Sequence, residues 1–140
     1  MKISVINRQK VLPIRKPSVR AVAREFLELE SIPCEQMGIY FVTMKEICRL
    51  HDQFFNDPSP TDCITFPIDL DPATPDRYLG DIFIAPEAAL AYPNPYEETT
   101  LYLIHGLLHL IGYDDLDPTK KKKMRRKEKS CMRRLSHRII

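Results

Sequence analysis

The sequence predicts a mixed α/β (α+β) protein in which a roughly four-stranded sheet is packed by helices, one of them central and buried. Three observations predict it. Short apolar runs bounded by turn residues alternate with stretches of helical periodicity through the first half of the chain. Helix-start signatures stand at Thr43, Asn94 and Asp117. The stretch Leu101 to Ile111 is apolar nearly all round, the pattern of a helix without a solvent face.

The elements follow in order. Lys2 to Asn7 alternates polar and apolar residues and reads as a strand. Pro17 suits a first helical turn, and Val19, Val22, Phe26 and Leu29 recur at helical spacing toward Glu30. Met37 to Val42 is apolar enough for a strand buried on both faces. Thr43 and Glu46 form a capping-box pattern for a helix to about Phe54, with Ile47, Leu50 and Phe54 as its apolar positions. Asp62 to Phe66 is a short strand. Asp69 to Tyr78 carries prolines and acids and is expected as an exposed loop. Gly80 to Ala85 is a fourth strand, and Pro86 to Tyr92 a short helix. Asn94 as cap, Pro95 at the first helical position and Glu97 then open the buried helix. Asp117 and Pro118 open a basic C-terminal helix from about residue 118, on which Met124, Met132, Leu135 and Ile139 make an apolar stripe.

A chain of 140 residues is read as one domain, 1–140, with no internal repeat. No apolar run is long enough to span a bilayer, and the N-terminus lacks an apolar signal core. The expected place is therefore the cytoplasm, with no membrane partner. Cys34, Cys48, Cys63 and Cys131 lie far apart and are expected as reduced, mostly buried thiols. Charge is unevenly spread. Residues 120–140 hold eleven of the 21 Lys and Arg and one of the 19 acids, leaving ten against eighteen, or −8, on residues 1–119. A segment this basic suits a polyanion such as nucleic acid, and equally suits a solvated helix face.

The chemistry concentrates in Ile104 to Leu116, I-H-G-L-L-H-L-I-G-Y-D-D-L. His105 and His109 are four apart, hence on one helical face. Buried imidazoles need partners for their ring nitrogens. Other side chains can supply these, and so can a shared cation. Gly112 permits a left-handed turn that ends the helix and brings Asp114 or Asp115 back toward the histidines. Two imidazoles and a carboxylate make an open zinc set. Asp115 and Asp117 are also well placed simply to start the next helix. Gly106 occupies the place of the glutamate base in an H-E-x-x-H peptidase, which argues against that class. A glycine in mid-helix is expected where another backbone packs closely.

With these residues in view, the chain resembles the YbeY family of bacterial metal-dependent endoribonucleases. The family signature H-G-x-L-H-L-x-G-Y-D-H stands here as His105 to Asp115. Pro60 to Pro67, P-T-D-C-I-T-F-P, is similar to the family's P-T-D-V-L-S-F-P, and Leu79 to Ile82 to its next strand. Met124 and Glu128 follow at family spacing. The resemblance implies one Zn2+ ion held by His105, His109 and Asp115, through which these residues would act catalytically. Gly112, Tyr113 and Asp114 would shape the turn. Two readings are open for Glu128: a pair with a basic neighbour, or a carboxylate behind a metal ligand. Lys120, Lys121, Arg125 and Arg126 would hold RNA. The implied activity is hydrolysis of single-stranded RNA in maturation of small-subunit ribosomal RNA and in ribosome quality control. The implied partners are ribosomal RNA and the small ribosomal subunit or its assembly factors.

Two positions depart from the pattern. The family's third ligand is histidine, and here it is Asp115, which adds a negative charge and shortens the reach. The family's phosphate-holding arginine before P-T-D is replaced by Phe55, and Arg49 and His51 are not equivalent to it by spacing. These two departures motivate a second reading: a ribosome-associated RNA-binding protein with a structural metal and weak or lost nuclease activity. Phe54 and Phe55 could stack bases or pack in the core.

Overall fold

The structure, a computed structural model, describes residues 1–139. Its elements are β1 (Lys2–Asn7), α1 (Lys16–Leu29), β2 (Gln36–Phe41), α2 (Met44–Phe55), β3 (Cys63–Pro67), β4 (Tyr78–Ile84), a 3-10 turn (Pro86–Ala91), α3 (Pro95–Leu110) and α4 (Pro118–Arg134). The fold is mixed α/β with a four-stranded sheet in the order β1-β2-β4-β3. β1 pairs β2 and β2 pairs β4 in parallel, while β3 runs antiparallel to β4.

Side-chain alternation decides which face the helices cover. Met37, Ile39 and Phe41 of β2 point into the main core with Leu79, Ile82 and Ile84 of β4. The step from 79 to 82 breaks the period of two, because β4 carries an extra residue where Gln36 to Gly38 faces Tyr78 to Asp81. Val22 and Phe26 of α1 and Leu103, Ile104 and Leu107 of α3 close over this face. Each such side chain contributes about 1.5–3 kcal/mol by leaving water. A second, smaller cluster of Val42, Ile47, Ile64 and Ala85 lies under α2.

The expected helix starts hold. Thr43, Asn94 and Asp117 each accept a hydrogen bond from the backbone N–H three residues on, at 3.1, 3.2 and 2.8 Å. Several expectations are corrected. Leu29 is exposed and Leu27 is buried, because the buried stripe of α1 runs through Val19, Val22, Ala23, Phe26 and Leu27 and leaves Leu29 to one side. Phe54 is 55% exposed, since α2 runs past the edge of the smaller cluster. The 69–77 loop is not wholly exposed: Arg77 is buried, with its guanidinium donating to the carbonyls of Asp69 and Pro33 at 3.0 and 3.2 Å. All four cysteines are free, but only Cys131 is fully buried. Among the described residues no helix is long and apolar enough to cross a membrane.

Candidate metal centre

The centre is built by one helix, its terminating turn and the helix after it. α3 is central because its flanks are apolar, and it places His105 and His109 one turn apart on its half-buried side. The end of α3 is a Schellman motif. Gly112 takes φ +112°, its N–H donates to His109 O at 3.2 Å, and Tyr113 N–H donates to Leu108 O at 3.0 Å. This reverses the chain. Asp114 Oδ1 then accepts from Leu116 N–H at 3.1 Å, and its Oδ2 lies 3.7 Å from Lys120 Nζ. Asp117 takes the cap of α4, so capping leaves Asp115 free for other partners.

Asp115 is the aspartate that comes back to the histidines. One ligand atom from each of His105, His109 and Asp115 lies within 4.8 Å of the others. The two Nε2 atoms are 3.1 Å apart. Donors bound to a tetrahedral zinc at about 2.0–2.1 Å stand roughly 3.3 Å from one another, so the spacing fits a shared cation.

The structure decides between the two readings of Glu128. Its Oε1 accepts from His105 Nδ1 at 2.6 Å, rather than pairing with a basic neighbour. Lys127, the adjacent base, instead pairs with Glu30 at 2.6 Å. Because an ionised carboxylate cannot donate, His105 Nδ1 carries a proton, which leaves Nε2, facing His109, as the atom that offers a lone pair to a metal in the neutral ring. Burial pushes His105 toward its neutral form. The hydrogen bond and charge of Glu128, with Asp62 and Asp115 nearby, outweigh this and hold its pKa above the ordinary histidine value. Burial and the charge of His105 hold His109 below it.

Two clefts flank the histidines. One, of about 260 Å3, lies toward α4 and is lined by His105 with four carboxylates, Asp62, Glu98, Asp115 and Glu128, against two cations, Lys121 and Arg125. That imbalance would repel a phosphate unless a cation were also present. The other cleft, of about 320 Å3, runs along β3 and is lined by His51, Phe55, Cys63, Thr65, His105 and His109. The four basic residues proposed for RNA are all exposed, and they divide. Lys121 and Arg125 face the α4 cleft, Lys120 sits by Asp114, and Arg126 lies with Pro118 and Lys122 away from the centre.

Gly106 is explained by side chains rather than by the expected backbone contact. A Cβ there would come 2.7 Å from Ile82 Cγ2 and 3.1 Å from Cys63 Sγ, so the glycine lets α3 lie close on β3 and β4. Glu98 and Tyr102 carry no direct sequence signal as cleft walls. Both fall on the histidine helix one or two turns earlier, which helical spacing from His105 could have found. His51, which is not equivalent by spacing to the family's arginine, is nonetheless carried by α2 to the β3 cleft.

Fold and centre together define a small mixed α/β protein with an open, helix-borne candidate cation site of the kind seen in metallohydrolases. The sequence profile of the family Endoribonuclease YbeY matches residues 4–136. An Endoribonuclease YbeY of Protochlamydia amoebophila is 47% identical over 120 residues, covering 82% of this chain and 80% of the relative. One from Chlamydia pneumoniae is 43% identical over an alignment covering 100% of this chain and 96% of the relative. The solution structure of TM1509 from Thermotoga maritima superposes with a TM-score of 0.61 at 25% identity, covering 94% and 87% of the two chains. The chain belongs to the endoribonuclease YbeY family.

Proposed function

We propose that this protein is an endoribonuclease that hydrolyses phosphodiester bonds in single-stranded RNA, using one zinc ion held by His105, His109 and Asp115. The observation that carries the reading is the convergence of those three donors at the meeting of two clefts. A bound zinc ion would supply Lewis acidity toward water and the scissile phosphate.

The chain's own residues do the rest. Glu128 holds His105 in the tautomer that presents Nε2 to the centre, and raises its basicity. Gly112 and Tyr113 end α3 so that Asp115 can reach back. Lys121 and Arg125 offset the carboxylates of their cleft and draw the phosphates of the strand toward it. Three protein donors with an exposed Asp115 leave room for a further ligand, which favours a catalytic over a structural site. Membership of the family supports maturation of small-subunit ribosomal RNA, in the cytoplasm and with the small subunit or its assembly factors, as the setting.

The test is cleavage of a single-stranded RNA by zinc-loaded protein beside His109→Ala. Turnover that needs both the metal and His109 is the expected result. RNA binding without metal-dependent turnover would instead mean an RNA-binding protein with a structural ion.

A further inference from the structure

Phe54 and Phe55 close α2 with 55% of each residue exposed. Packing accounts for one of them. Phe54 meets Phe66 edge-on, with centroids 5.0 Å apart. Phe55 is held differently. It lies 6.5 Å from Phe66 at an interplanar angle of 27°, and 5.8 Å from His51 at 54°. His51 is itself held through Nδ1 at 2.9 Å from Ser59 O. The Phe55 ring thus packs against two aromatic rings, and it lines the β3 cleft together with His105 and His109. At about 320 Å3 that cleft falls within the size range of small-molecule sites, about 300–1,000 Å3.

Charge separates the two clefts. Lys121 and Arg125 line the one beside α4, whereas no Lys or Arg lines the one beside Phe55. Away from the metal centre a phosphate finds no Lys or Arg on the Phe55 side, but a flat aromatic base finds an exposed aromatic ring.

We infer that the β3 cleft is a nucleobase subsite: a base adjoining the scissile phosphate stacks on Phe55, while phosphates beyond the metal centre are drawn toward α4. This inference rests on the RNA-cleavage reading above. Stacking grips a strand without counterion release, so it persists at salt concentrations that weaken phosphate contacts.

The test is binding of a cleavage-resistant, phosphorothioate-linked single-stranded RNA to the zinc-loaded full chain, followed by fluorescence anisotropy at low and high salt. Phe55→Leu is expected to weaken binding about tenfold, inside the roughly five- to 150-fold that stacking one base confers. The factor should be similar at both salt concentrations. Phe55→Trp should restore binding. Phe54→Leu, equally exposed but outside the cleft, should bind like wild type. An RNA with an abasic nucleotide at the stacked position should bind wild type about tenfold more weakly and Phe55→Leu no more weakly still. Wild-type affinity in Phe55→Leu, or an equal loss in Phe54→Leu, overturns the stacking subsite while leaving the nuclease reading intact. If wild type binds no single-stranded RNA at all, both fall.

Discussion

His105 Nδ1 and Glu128 Oε1 stand 2.6 Å apart, joining α3 to α4 behind the candidate metal centre. A short bond is expected where the acceptor is charged. Met124 and Cys131, on the same face of α4, seat the helix so that Glu128 arrives nearly buried. The contact sets the tautomer of one proposed ligand and, through it, the direction of the donor pair.

Removing that carboxylate should therefore weaken metal binding without removing a ligand. Glu128→Ala is expected to lower zinc affinity about 10–100-fold, the usual cost of losing an outer hydrogen-bond partner. Glu128→Gln should lose less, since its amide oxygen can still accept. Competition against a chromogenic chelator measures both. Unchanged affinity in Glu128→Ala would mean that the hydrogen bond does not orient His105 for metal.

Asp115 tests the composition of the centre. Asp115→Ala should reduce the zinc retained by purified protein, and Asp115→His should restore it. Metal analysis of the three proteins decides the matter. Equal zinc in wild type and Asp115→Ala would remove Asp115 as a ligand.

Metal should also stabilise the fold, because it ties α3 to the turn that follows it. A ligand at about 100 times its Kd adds about 2.7 kcal/mol, which for a chain of this length raises Tm by roughly 8–10 °C. Thermal unfolding with zinc and after chelation should differ by about that much in wild type. In His109→Ala the two curves should coincide.

Gly106→Ala should destabilise, although alanine is the better helix former by about 1 kcal/mol. The added Cβ would press on Ile82, which is fully buried and branched close to the backbone, so overpacking of about 1–3 kcal/mol outweighs the gain. A fall of a few degrees in Tm is expected. A rise would show that α3 can lift off the sheet at little cost.

Acid stability should depend on Glu25. Burial raises its pKa, but hydrogen bonds from Ser136 and His137 outweigh that and hold it down at about 2, against an ordinary value of 4.5. The sign follows from the lowered folded-state value. The stabilisation is complete above the ordinary pKa and is lost as pH falls from about 4.5 toward 2. Glu25 is partly exposed, so solvent screening reduces the effect to about 1 kcal/mol. Glu25→Gln should unfold earlier in denaturant at pH 7 by that amount and match wild type near pH 2. A constant gap across the range would rule out the charge as its source.

Much of this was legible in the residues because it is local. Helical periodicity around Val22 and Phe26, the caps at Thr43, Asn94 and Asp117, and the turn at Gly112 depend on neighbours within a few positions. The sequence by itself also determined that His105 and His109 share a face, since that needs only the pitch of a helix. Tertiary structure alone decided what those rings meet. Glu128 is 23 residues from His105, and nothing local distinguishes a pair with an adjacent lysine from a hydrogen bond to a distant imidazole. The choice of Asp115 over Asp114 turned on the path of the chain after Gly112, and the place of Phe55 on how α2 lies along the edge of the sheet. Those outcomes depend on the packing of whole elements, where many apolar contacts act together and no single residue carries the signal.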